Sequence, residues 1–130
     1  MKLVPYNMGA CGMHQLMYAG EVNFDDEEVS TGIELCTLPA NVIVTKAVCV
    51  VEKAFNAATT NVLTIGTDAT IGNLLGADDI TEATAAAYQN DAWLSLAKET
   101  AVKAKYTQTG EEATTGKAQV FLFVVRVPEE

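Results

Sequence analysis

VIVTKAVCVVEKAF, residues 42–55, decides the fold. The run is dense in β-branched residues, which pack well on a pleated sheet and lose rotamer freedom in a helix, so it reads as a strand. Its even positions carry Val42, Val44, Lys46, Val48, Val50 and Glu52, and its odd positions Ile43, Thr45, Ala47, Cys49, Val51, Lys53 and Phe55. Apolar residues lie on both sides through the middle. That predicts a long central strand with one face on a core and the other covered by an arm, a loop or a neighbouring subunit. A second run, KAQVFLFVVRV at residues 117–127, has the same character and predicts a central strand buried on both faces over most of its length. Pro128-Glu129-Glu130 then blocks further pairing.

Shorter elements flank these two. Residues 33–38 predict a strand ended by the turn Pro39-Ala40-Asn41, and residues 62–65 predict a return strand after a turn of Ala, Thr and Asn at 56–61. A hairpin between 42–55 and 62–65 is the simplest arrangement. At 102–106, Val102, Ala104 and Tyr106 alternate with Lys103 and Lys105, the signature of a strand with one wet face. Asp79 as a cap with Glu82 at the third helical position, followed by the Ala-rich 83–87, predicts a short helix or helical turn near 79–87. Asn90-Asp91 interrupts that run and Trp93-Leu94-Ser95-Leu96 alternates, so a strand is expected at 92–97. Seven or eight strands with at most one short helix predict an all-β protein, an antiparallel β-sandwich of jelly-roll or immunoglobulin-like type.

A chain of 130 residues fits one core, and with 49% apolar and 19% charged residues it is too hydrophobic to be read as disordered. Residues 1–20 hold all four methionines, Met1, Met8, Met13 and Met17, with Tyr6, Tyr18 and three of the nine glycines, and show no regular period. They read either as an extended arm adapting to a partner surface, with Met8, Met13, Met17 and Tyr18 as its contacts, or as an irregular first strand of their own domain. The sandwich domain is then expected at 21–130.

Seventeen acidic against eight basic residues give a formal charge of -9. Nucleic-acid binders carry a clustered basic footprint, so direct DNA or RNA binding is not expected. The odd count of three cysteines, Cys11, Cys36 and Cys49, with no C-x-x-C suggests small buried hydrophobes in a reducing compartment. No h-region of a signal peptide is apparent, and no run approaches the ~18 apolar residues of a membrane span.

Reaction chemistry is sparsely provided. The single histidine, His14, lies near Cys11, but no further ligand pair has zinc spacing. Asp25-Asp26-Glu27-Glu28 lacks the spacing of a calcium loop and reads as a solvated turn. No nucleophile elbow or phosphate loop occurs, so no catalytic, cofactor or metal residues are expected. An adhesion module would use exposed aromatics and carboxylates in end loops, with Trp93, Tyr88 and Asp91 as candidates; a lone Trp beside an Ala-rich stretch is more often core.

The order of several short motifs points further. Leu38-Pro39-Ala40-Asn41-Val42-Ile43, Ala54-Phe55-Asn56, Thr59-Thr60-Asn61-Val62-Leu63-Thr64-Ile65-Gly66, Ala104-Lys105-Tyr106-Thr107-Gln108-Thr109-Gly110 and Ala113-Thr114-Thr115-Gly116-Lys117-Ala118 resemble, over residues 38–127, the layout of small virion structural proteins of tailed phages. That resemblance implies a β-sandwich without enzymatic activity or cofactor, of the capsid-decoration or head-stabilising type. It further implies assembly in the host cytoplasm, location in the virion, a homo-oligomer such as a trimer, and binding to the major capsid protein or another virion protein. No membrane partner follows from it, and the Met-rich segment has no counterpart in that layout.

Overall fold

The computed structural model describes residues 15–68 and 70–126. Seven strands form, with no helix among the described residues: β1 (Gln15–Asn23), β2 (Ile33–Leu38), β3 (Val42–Lys53), β4 (Thr60–Thr67), β5 (Ala87–Leu96), β6 (Thr100–Thr109) and β7 (Lys117–Arg126). They make two antiparallel sheets, β1-β7-β3-β5 and β2-β6-β4, stacked as a β-sandwich. Alternating apolar side chains of both sheets fill the space between them: Val44, Ala47, Cys49 and Val51 of β3 and Val120 and Leu122 of β7 face Leu63, Ile65, Val102, Ala104 and Tyr106. Phe55 packs its ring 4.7 Å from that of Tyr106.

The two-sided pattern of β3 has a geometric cause. Opposite β7, the register passes from Val44↔Val124 to Lys46↔Phe123, so Thr45 is an extra residue in a bulge. Before it, Val42 and Val44 point inward; after it, Ala47, Cys49 and Val51 do. A single bulge thus moves the buried set from even to odd positions. Thr45 is itself buried, and its hydroxyl donates to the Phe123 carbonyl at 3.2 Å.

Two expectations are corrected, the 42–55/62–65 hairpin and a core Trp93, and the 79–87 alternatives resolve to turns. The simple hairpin of 42–55 with 62–65 does not form, because β3 and β4 lie in different sheets and the chain crosses the sandwich between them. At 79–87 the backbone makes only isolated turns, closed by Asp79 N–H to Gly76 O (3.1 Å) and Thr84 N–H to Thr81 O (3.0 Å), and β5 already begins at Ala87. Trp93 is not core: it is 66% exposed, in a left-handed backbone conformation (φ 47). The segment read as an arm splits, its last six residues, Gln15 to Gly20, lying in β1 paired with β7, while Met1 to His14 fall outside the described residues.

Candidate functional site

The outer faces of the two sheets differ in chemistry. On β2-β6-β4 the outward residues include Glu34, Thr64, Lys103, Lys105 and Thr107, and Lys103 Nζ pairs with Asp68 Oδ1 at 2.8 Å. That face is made for water.

The outward side of β1-β7-β3-β5 is apolar over β1, β7 and much of β3, and turns polar on β5. Register pairs place Tyr18, Phe121, Val48 and Gln89 in one row and Leu16, Phe123, Lys46 and Asp91 in the next. Val125 and Ile43 extend the band, and Trp93 stands on β5 at its far border. Leu16 is 60% and Tyr18 54% exposed, while Val48, Phe121, Phe123 and Val125 are half-buried by one another. The rings of Tyr18 and Phe121 lie 5.4 Å apart and tilted by 55°, and Lys46 Nζ sits 5.9 Å over the Phe123 ring. A shallow depression of about 380 Å³ between Leu16, Lys46, Val48, Gln89, Phe121 and Phe123 marks the centre. Charges on this side balance: Lys117 pairs with Glu21 at 2.9 Å, and Lys46 lies in register with Asp91. The Lys117 contact also holds the Glu21 carboxyl below its usual range.

Each sheet edge carries a feature that disfavours strand addition. β1 and β2 are bulged at Tyr18/Gly20 and Glu34/Cys36, and β5 carries the left-handed Trp93 where its register with β3 shifts. Along β4, three alternate N–H groups that point to the free edge are occupied: Leu63 N–H donates to Glu82 Oε2 (2.8 Å), Ile65 N–H to Leu75 O (2.9 Å) and Thr67 N–H to Asn73 Oδ1 (3.0 Å). Gly66 lets the 70–73 loop press against this strand, because a Cβ there would overlap Gly72 N and Thr70 O. Nothing is left on that edge for main-chain pairing at these positions.

The residues singled out from sequence distribute unevenly. Tyr18 is on the apolar face, its hydroxyl donating to Gln119 Oε1; Met17 points the other way, half-buried against the core; Met8 and Met13 lie outside the described residues, as do Cys11 and His14. Trp93 and Asp91 point outward on β5, but Tyr88 is half-buried and its hydroxyl donates to Thr81 O and Thr84 O, so the three do not converge. The acidic 25–28 run is a turn in which Asp26 Oδ2 accepts from Asn23 N–H at 2.8 Å. No group of three or more His, Cys, Asp or Glu suited to a metal ion occurs among the described residues. Cys49 is buried with its thiol pushed up to about 12, first by desolvation and then by Glu82; burial likewise raises the half-buried Cys36. Sequence reasoning missed Leu16, whose signal was its two-residue spacing from Tyr18 within the arm segment.

No protein family profile and no curated protein matches this chain. Among solved structures, a chain of the cyanophage Pam1 capsid asymmetric unit is similar with a TM-score of 0.70, at 20% identity, over 89% of this chain and 86% of that one. A chain of the capsid of Ralstonia phage GP4 is similar with a TM-score of 0.62, at 19% identity, over 91% and 87%. At that identity the likeness shows the fold. The sandwich is one that occurs in phage capsids, as the sequence resemblance implied.

Proposed function

We propose that this protein is a non-enzymatic structural component of a phage particle, which decorates or stabilises the capsid by binding the lattice of the major capsid protein. The observation that carries this reading is the asymmetry of the outer faces. One is wet, the other carries an apolar band of Leu16, Tyr18, Phe121, Phe123, Val48, Val125 and Ile43, and the edges of both sheets are bulged or capped. Large exposed apolar patches mark interaction sites, and bulged or capped edges favour face contact as the route of association. Sister copies around a symmetry axis, three in a trimer, bury this face, and Tyr18 lies inside it. Met17 with Met8 and Met13 of the arm adds contacts to the shell. The fold shared with chains of two phage capsids supports the setting.

Strand order supports the jelly-roll form of the sandwich. β1 pairs β7, β2 pairs β6 and β3 pairs β5, nested like a rolled hairpin, and the innermost pairing is reduced to the Ile65↔Leu75 bridge beside β4.

Binding only to assembled lattice stabilises it by mass action. Purified protein mixed with undecorated capsids should co-sediment at micromolar concentration, and absence of binding there overturns the proposal. The exposure of Trp93 beside outward Asp91 favours, as second reading, a sugar-binding adhesion module. Glycan-array binding that disappears in Trp93→Ala, without lattice binding, selects it.

A further inference from the structure

The two ends of the sandwich are electrostatically unequal. At one end the loops 24–32, 54–59 and 110–116 are tied together: Phe24 N–H donates to Gly116 O (3.0 Å), Ala58 N–H to Glu111 O (2.9 Å), and Asn56 Oδ1 accepts from Thr114 N–H at 2.7 Å. These loops carry Asp25, Asp26, Glu27, Glu28, Glu111 and Glu112 and contain no Lys or Arg. At the other end lie the turns 39–41 and 97–99, where Lys98 and Glu99 offset each other, with exposed Arg126 where β7 ends. Asn41 N–H donates to Leu96 O (2.8 Å), joining two of these segments.

The same end is concave. A slot of about 160 Å³ opens between the sheets, lined by Met17, Leu38, Pro39, Val42 and Val124 with Arg126 at its rim. A wider hollow of about 690 Å³ runs between Thr67, Asp68, Asn73 and the 94–100 segment. Residue 15, where β1 starts, is at this end too; residues 1–20 contain no acidic residue, and Glu129 and Glu130 follow Arg126 in the sequence.

We infer that the end formed by residues 39–41, 97–99 and Arg126 is the one that meets the protein shell, with the six-carboxylate end turned away from it. The inference rests on the capsid-binding reading above and adds the orientation. Charge selects the end: the loops at one end bring six carboxylates and no Lys or Arg, with Lys53 the nearest exposed cation, and desolvating them against a protein surface is costly, whereas the described residues of the opposite end present balanced charge, concavities and one exposed guanidinium able to grip a shell carboxylate. The occupant is therefore a near-neutral protein surface offering an apolar side chain to the Met17–Val124 slot and a carboxylate to Arg126.

The test uses the full chain and undecorated shells. An eight-residue Gly/Ser-rich epitope placed after Glu111 should leave co-sedimentation unchanged and stay accessible to antibody on the decorated particle. The same epitope after Lys98, or the backbone-neutral pair Lys98→Glu with Arg126→Glu, should weaken binding at least tenfold while melting like the parent. Retained binding by the Lys98 and Arg126 variants, or loss only with the Glu111 insertion, overturns the orientation. Failure of the unmodified protein to sediment with shells instead removes the capsid-binding reading on which it stands.

Discussion

Glu82 Oε2 accepts a 2.8 Å hydrogen bond from the backbone N–H of Leu63, so a carboxylate only 7% exposed caps the free edge of β4. Burial lifts its pKa above the ordinary carboxylate range, the Leu63 N–H opposing that rise in part and Asp78 adding to it. A folded pKa above the unfolded one means the native state holds the proton more tightly. Stability should therefore fall as pH rises from the ordinary Glu value, about 4.3, through the raised one. Glu82→Gln, which keeps an acceptor for Leu63, should flatten this part of the profile. Glu82→Ala, which orphans the N–H, should cost about 1–3 kcal/mol at pH 7. Urea unfolding of the three proteins at closely spaced pH values checks both, and an unchanged slope in Glu82→Gln refutes the assignment.

The apolar face makes a different demand. Phe121→Asp places a charge in the middle of the band without entering the core, where Val120 and Leu122 point. The domain should lose about 1 kcal/mol at most, whereas self-association should vanish. Sedimentation velocity should show one subunit mass for this variant and a multiple of it for the parent; identical masses refute the face as the contact between copies.

Gly66 should tolerate no side chain. Gly66→Ala forces apart β4 and the 70–73 loop, with backbone on both sides of the overlap. A loss of about 3 kcal/mol is expected, and a melting temperature within 2 °C of the parent, roughly 0.5 kcal/mol for a domain of this size, contradicts it.

Thiol chemistry should follow burial. Cys49, pushed up to about 12, should resist iodoacetamide at pH 8 in the folded protein and react once urea unfolds it, with Cys36 intermediate. Peptide mass spectrometry reads each site separately; rapid native labelling of Cys49 shows that the sandwich opens there.

Much of the fold was legible because alternation is a direct consequence of the pleat. β2 occupies residues 33–38 as its composition predicts, and Val102, Ala104 and Tyr106 of β6 point inward while Lys103 and Lys105 stay wet. The misreadings share a cause: local pattern does not encode which partner a segment finds. Asp79 and Glu82 have helix-start spacing, yet Asp79 Oδ2 takes the Gly76 N–H at 2.7 Å and Glu82 reaches into β4. The Asn-containing turn at 56–61 looks like a hairpin loop, but Asn56 bonds Thr114 and Thr115 across the sandwich end. The candidate face was half visible. Apolar residues on both sides of β3 and β7 signalled a second covered surface, while the Thr45 bulge that decides which residues occupy it leaves no trace in a period-two count. Tyr18 stood out as a contact residue but Leu16 was hidden by the irregular composition around it, since only pairing with β7 shows that the two share a sheet face.

In the β1-β7-β3-β5 order, β7 separates β1 from β3, although both precede it by more than sixty residues. On the ribosome, then, two strands must wait with exposed main-chain edges until residues 117–126 have been synthesised and slip between them. Closure of the sandwich is a late, all-at-once event. A chain interrupted before that point has neither its core nor its apolar outer face in place.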